Sequence, residues 1–308
     1  MLKRPINYIF LEGPDLAGKT TFYESIHKAS DYKWNIQDRS ALSMLIHAKY
    51  YGRDTFQAVE QLKAELYNLN NIMIILLPEW NEVARRFNLR GDPIQNITSL
   101  KKIYHLFAEA AEELCMMPNV IVMNSVIDEK ITNYTVSRLF EYENASTRDI
   151  QKNCLNSCSS KKDNERVGLN FTLYDDGTFL DIDDGDLLYE KEVDYYDNIL
   201  FEIKQKIESE LAGINQYDRK ETYESRRFLY SSDTCISLAH FLLREESLDC
   251  KFFLRSSNVK DTLYFDLNFL KHAASIVYNA LNASGRFCKM NFLINSGHII
   301  SDNQYDKK

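Results

Sequence analysis

The chain has 308 residues, room for two domains or one large one. Hydrophobic residues make up 44% and charged residues 27%, a globular balance that excludes wholesale disorder. The 45 Asp and Glu outnumber the 37 Lys and Arg, and the formal net charge of −8 weighs against a protein that holds nucleic acid mainly by charge. No run of about 18 apolar residues is present, so neither a membrane span nor a membrane partner is expected. The opening Met1-Leu-Lys-Arg-Pro5 leads straight into a strand-like stretch without an apolar signal region, and the expectation is a cytoplasmic protein. The six scattered cysteines fit a reducing compartment. Cys154 and Cys158 have loose metal-ligand spacing, but no second Cys/His pair stands beside them.

Residues 7–11 form a short apolar run that ends in Glu12-Gly13, and a helical stretch follows to about residue 29. Residues 35–38 read as a second short strand. Residues 55–69 place Val59, Leu62, Leu66 and Leu69 on one helical face. Residues 71–77 are continuously apolar and stop at Pro78, as a strand buried on both faces would. Residues 79–87 and 98–115 read as helices and 119–123 as another buried strand. Strands alternating with helices predict an α/β domain with a parallel sheet flanked by helices, assigned to residues 1–128. Residues 129–193 read as a linker and hairpin region. Within it 144–166 is polar, and 171–174 and 178–182 flank a turn at Asp175-Asp-Gly177. Helices are expected over 194–211 and 261–282, and a strand over 289–300. Together they predict a smaller α+β domain over 194–308 with a fraying tail from Ser301.

The run Gly13-Pro14-Asp15-Leu16-Ala17-Gly18-Lys19-Thr20, with Thr21 behind it, fits the GxxxxGK[ST] phosphate loop. It follows a strand and opens a helix, the context the motif needs. Its glycines let the backbone wrap a phosphate, and successive N–H groups at a helix N-terminus present positive potential to it. Lys19 would reach the β- and γ-phosphates of ATP, and the Thr20 hydroxyl would ligate Mg2+. Asp38-Arg39 sits at the end of the second strand, where open sheets deliver ligand-binding groups. Asp38 there would help hold Mg2+, and Arg39 would clamp an acceptor phosphate or form an ordinary surface ion pair. Arg85, Arg86 and Arg90 cluster in a run ending Arg90-Gly-Asp92, which fits either a lid that neutralises transition-state charge or a solvated helix end. Glu12 and Asp15 are the nearest candidates for orienting groups.

On these pieces the first 5–127 residues resemble the thymidylate kinase family, above all the shorter deoxynucleotide kinases of bacteriophages. The resemblance implies transfer of the ATP γ-phosphate to a pyrimidine deoxynucleotide. It places Arg39 on the acceptor monophosphate, Asp15 near acceptor or metal, and the lid arginines on the transferring phosphoryl.

From residue 223 a different signal begins. Arg226, Arg227, Arg255 and Ser256 would make a phosphate clamp. Cys235 would be a nucleophile if its thiol were activated, or a core residue of an apolar run. In order and spacing these residues, with Asp266 and His298, resemble the nucleotide-binding half of thymidylate synthases and pyrimidine hydroxymethylases. By that resemblance Cys235 stands at the nucleophile and Arg255-Ser256 at the phosphate clamp. Arg226-Arg227 would cross a homodimer interface, His298 would touch the sugar, and Asp266 would read the base unless it is a solvated helix residue. The signature around the cysteine reads Thr234-Cys235-Ile236, the expected Asp is Asn258, the expected Tyr is Ile300, and the folate-binding half is missing. The expectation is a degenerate domain with a second nucleotide pocket and no methyl transfer, or a dimerising remnant.

The leading expectation is therefore a nucleoside monophosphate kinase of thymidylate kinase type using ATP and Mg2+. One alternative keeps the chemistry and moves the acceptor to hydroxymethyluracil in DNA; another is a non-catalytic nucleotide sensor and scaffold; a working hydroxymethylase would need folate residues that are not found.

Overall fold

The computed structural model describes residues 2–91, 94–144, 146–159, 165–179, 193–215 and 227–300. The chain divides into two compact units, Ile6–Glu143 and a second made of Met1–Pro5 with Asn144–Lys308.

The first unit runs β1 (Tyr8–Glu12), α1 (Lys19–Ala29), β2 (Ile36–Asp38), α2 (Ala41–Tyr50), α3 (Phe56–Tyr67), β3 (Asn71–Leu76), α4 (Trp80–Arg90), α5 (Ile97–Leu114), β4 (Val120–Met123) and α6 (Glu129–Glu143). Its sheet has the order β2-β1-β3-β4 and every pair is parallel. All six residues of β3 are buried because both sheet faces are covered. Met73 and Ile75 pack with Leu42 and Ile46 of α2, Leu62 and Leu66 of α3, and Ile103 and Phe107 of α5. Ile72, Ile74 and Leu76 pack on the other face with Phe22 and Ile26 of α1 and Val136 and Leu139 of α6. Helix α5 starts with a reciprocal cap: Ser99 N donates to Asn96 Oδ1 and Asn96 N donates to Ser99 Oγ.

Strand order fixes where a ligand can sit. From β1 the chain crosses to β2 on one side and then returns to β3 on the other. The carboxyl ends of β1 and β3 therefore flank the switch point, the crevice where open α/β sheets bind ligands.

The second unit holds α7 (Thr147–Ser159), β5 (Glu165–Asp175), α8 (Val193–Asn215), β6 (Arg227–Ser231), β7 (Ile236–Leu243), β8 (Ser247–Leu254), β9 (Ser257–Asn258), α9 (Leu263–Ala280) and β10 (Phe287–His298). Among the described residues its sheet has the order β5-β10-β8-β7-β6, with β9 alongside β10. β10 is parallel to β8 and β9 and antiparallel to β5, so β8, α9 and β10 form a crossover unit inside a mixed sheet. Alternation hides one face: Phe171 stacks on Phe292 with ring centres 5.0 Å apart, Phe252 meets Phe292 tilted at 5.1 Å, and Leu267, Leu270, Ala274 and Val277 of α9 are buried. Near the chain start, Lys3 and Tyr174 exchange backbone hydrogen bonds of 2.8 and 2.7 Å.

The structure differs from the sequence reading in particular places. The polar stretch 144–166 contains helix α7, whose buried Ile150, Cys154, Ser157 and Cys158 share one face that polar composition conceals. Helix α6, within the stretch read as linker, belongs to the first unit. The Asp175-Asp-Gly177 turn forms, with Gly177 at φ +87° and its N–H on Asp175 Oδ1 at 2.9 Å. The strand paired with β5 there is β10, while 180–182 and the tail 301–308 lie outside the described residues.

Candidate functional site

The phosphate loop joins the end of β1 to the start of α1. Gly13 has φ +136°, and a Cβ there would stand 2.2 Å from the Leu76 carbonyl oxygen, so only glycine lets the loop sit against the carboxyl end of β3. Gly18 caps α1 in the left-handed conformation at φ +104°. Lys19 Nζ lies back across the loop and donates to the carbonyls of Gly13 at 2.7 Å and Pro14 at 3.0 Å. Burial lowers the Lys19 pKa, with Arg39 adding to the fall and Asp15 opposing it. Thr20 and Thr21 are exposed at the helix start.

A cleft of about 420 Å³ opens over the loop, lined by Asp15, Leu16, Gly18, Lys19, Thr20, Thr21, Asp38, Arg39, Arg86, Leu89 and Arg90. Arg39 Nη2 pairs with Asp15 Oδ1 at 3.2 Å, and the second Asp15 oxygen accepts from Gln95 Nε2 at 2.7 Å. Arg86 donates from Nη1 to the Leu16 carbonyl at 2.8 Å and from Nε to Glu82 at 2.7 Å, so α4 is tied to the loop. Arg85 is bidentate on Glu82 at 2.7 and 2.8 Å and does not line the cleft. Of the three clustered arginines, Arg86 and Arg90 line the cleft and Arg86 bonds the loop. Asp92 lies outside the described residues.

Thr20 supplies a hydroxyl and Asp38 an exposed carboxylate to the same cleft. These hard oxygens suit Mg2+, which takes one or two protein ligands and completes its shell with phosphates and water. Glu12 does not reach the cleft. It is fully buried, and its carboxylate accepts from Ser40 N and Oγ and from Ser43 N and Oγ at 2.5–3.1 Å. Glu65 Oε2 accepts from Ala41 N at 3.1 Å at the same helix end, and burial pushes its carboxyl up.

The sequence motifs do not point to Gln95, Glu82 or Leu89. Glu82 carried a usable signal, since it stands three and four residues before two arginines on a helix. Gln95 carried none. His47 is a further residue of this neighbourhood, its pKa lowered first by burial and then by Arg39. It sits on α2, a helix the sequence reading did not assign.

The second unit has a cavity of about 550 Å³ beside the carboxyl ends of the parallel strands β8 and β10. Cys235, Arg255, Ser256, Asp266 and His298 all line it, joined by Tyr195, Thr234, Ser257, Asn258, Thr262 and Ile300. Cys235 is exposed in the turn before β7, so it is not a core residue. Arg255 N donates to the Cys235 carbonyl at 2.8 Å, and Ser256 Oγ lies 3.7 Å from Cys235 Sγ. The Tyr195 hydroxyl, raised to about 12 by burial, donates to Thr234 Oγ1 at 3.1 Å and accepts from Ile236 N at 3.0 Å. Asp266 is buried, not solvated: it accepts from Tyr196 OH at 2.7 Å and from Ser257 Oγ at 2.9 Å. Arg226 lies outside the described residues, and Arg227 is described as the first residue of β6.

Compared with models of known protein families and with curated proteins, the chain returns no match.

Proposed function

We propose that the first unit is an ATP-dependent phosphotransferase whose acceptor is a pyrimidine deoxynucleoside monophosphate, as in kinases of the thymidylate type. The observation that carries the reading is the convergence, on one switch-point cleft, of a strand-seated phosphate loop, Lys19, Thr20, Asp38, Arg39 and Arg86. Lys19 would exchange its two loop carbonyls for phosphate oxygens. Thr20 and Asp38 would hold Mg2+, which supplies charge neutralisation when bound. Arg39 would grip the acceptor phosphate, and Arg86 with Arg90 would balance charge on the transferring group. A monophosphate acceptor is already ionised, so positioning and electrostatics suffice.

The alternative, a hydroxyl acceptor such as hydroxymethyluracil in DNA, would need a base, for which Asp15 and Asp38 are the candidates. Both Asp15 oxygens are engaged, by Arg39 and Gln95, an arrangement that holds an arginine in place, so a hydroxyl acceptor would turn to Asp38 for its base. The test is transfer of labelled γ-phosphate from ATP to two acceptor sets, one of dTMP, dCMP, dUMP and their hydroxymethyl forms, the other DNA containing hydroxymethyluracil. Label on a monophosphate is the expected result. Label in DNA would make the protein a base-modification kinase, and no transfer would leave the sensor reading in its place.

For the second unit the proposal is a nucleotide pocket without methyl transfer, with Arg255 and Ser256 on the phosphate. A homodimer through this unit is part of the same proposal, and sedimentation equilibrium tests it.

A further inference from the structure

Arg39 occupies an unusual backbone position. Its φ of +79° lies in the left-handed region that non-glycine residues rarely adopt, between the end of β2 and the start of α2. Such a conformation persists only where its surroundings over-determine it. Two consecutive residues of β1 do so. The Leu11 carbonyl accepts from Arg39 N at 3.0 Å, and Glu12 grips the very next residue through Ser40 N and Oγ.

Glu12 is fully buried and does not line the cleft, and among the described residues hydrogen bonds rather than an ion pair hold its carboxylate. Four donors from Ser40 and Ser43 surround it, and charge-assisted bonds of this kind are among the strongest a buried carboxylate makes. Together with Ala41 N on Glu65 and Leu42 N on Ser40 Oγ, every N–H from residue 40 to 43 has a partner inside the protein. The start of α2 thus offers no N–H to a ligand anion, and the group delivered to the cleft at this corner is the Arg39 guanidinium, 3.2 Å from Asp15.

We infer that Glu12 is the positioning residue for the acceptor-side arginine: by pinning Ser40 and Ser43 to the end of β1 it holds Arg39 in the left-handed turn that aims its guanidinium into the phosphate cleft. The inference rests on the phosphotransferase reading only for its kinetic consequence.

The experiment compares wild type, Glu12→Gln, Arg39→Ala and the double variant. Glu12→Gln keeps the shape and replaces one accepting oxygen by an amide donor that faces donors. For the acceptor it is expected to lower kcat/KM about 10- to 100-fold, with KM for ATP unchanged. On the Arg39→Ala background it should cost nothing further, because the two residues act as one unit. A second readout needs no activity: the Arg39 Nε–H NMR signal, assigned by its loss in Arg39→Ala, should move in Glu12→Gln. Ser43→Ala, which removes one donor and keeps the carboxylate, takes the place of Glu12→Gln if that variant does not fold. An unmoved Arg39 signal in the folded variant overturns the inference, as does a further loss of activity on the Arg39→Ala background. Wild type without transfer would instead overturn the kinase reading, and the NMR signal would still decide the role of Glu12.

Discussion

Arg85 and Arg86 share one carboxylate. Glu82 takes hydrogen bonds from Arg85 first and Arg86 second, and these hold its carboxyl down to about 2. A depressed carboxyl contributes stability that is complete above its ordinary 4.5 and is lost as the pH falls through about 2. The pair is at the surface, so that contribution is small and screened by salt. Its value lies in holding Arg86 ready at the phosphate loop across the working pH range. Carbon-detected NMR titration of the Glu82 carboxyl should give a midpoint near 2, and a midpoint near 4.5 would mean that neither arginine holds it. Lys19 makes stability change with pH in the same direction, in a higher window, although its lowered pKa means that the buried charge costs stability at neutral pH. Burial lowers its pKa, so between the lowered value and the ordinary 10.5 the unfolded chain binds the proton more tightly and stability rises with pH.

At the scale of an element, the phosphate loop is held by its seat on β3 as much as by its own sequence. Gly13→Ala would put a Cβ 2.2 Å from the Leu76 carbonyl at a φ of +136°. Backbone strain alone predicts a loss of about 1–3 kcal/mol, and the clash adds to it. Urea denaturation followed by tryptophan fluorescence should show the midpoint falling, and Mg·ATP should fail to restore it. Wild-type stability in this variant would contradict the described seat. The sequence disclosed this loop, β3 and α5 because each carries a local signal: glycines at fixed offsets, an unbroken apolar run, a 3.6-residue stripe. Helix α2 stayed hidden because its buried Ala41, Leu42, Ser43, Leu45 and Ile46 form a broad face without a narrow period. Helix α7 stayed hidden because its buried positions include Ser157 and two cysteines within a polar run. The roles of Glu12 and Gln95 were illegible for a different reason. Both depend on partners 28 to 80 residues away, which no local pattern encodes.

Across the whole molecule, two units each carry a cleft lined by arginine and hydroxyl groups of its own. Separate sites predict separate ligands. Iodoacetamide should alkylate Cys235, and dUMP should slow that alkylation several-fold while Mg·ATP leaves it unchanged. Peptide mass mapping separates Cys235 from the other exposed thiol, Cys115. Protection by Mg·ATP without protection by dUMP would contradict the assignment of the second pocket. Cys235, Arg255 and His298, singled out by a resemblance in order and spacing, line one cavity. The commitment of Asp266 to Tyr196 and Ser257 was not legible in the sequence, since it joins three elements. The claim on which the rest depends is that the first cleft transfers a phosphoryl group. The most direct measurement is single-turnover transfer from labelled ATP to dTMP by wild type, Lys19→Ala and Arg39→Ala. The account predicts transfer by wild type, a fall on the order of 10²–10³ or more without Lys19, and a rate without Arg39 that recovers only partly at high dTMP. Transfer that persists unchanged in Lys19→Ala, or no transfer by wild type to any monophosphate, would contradict it.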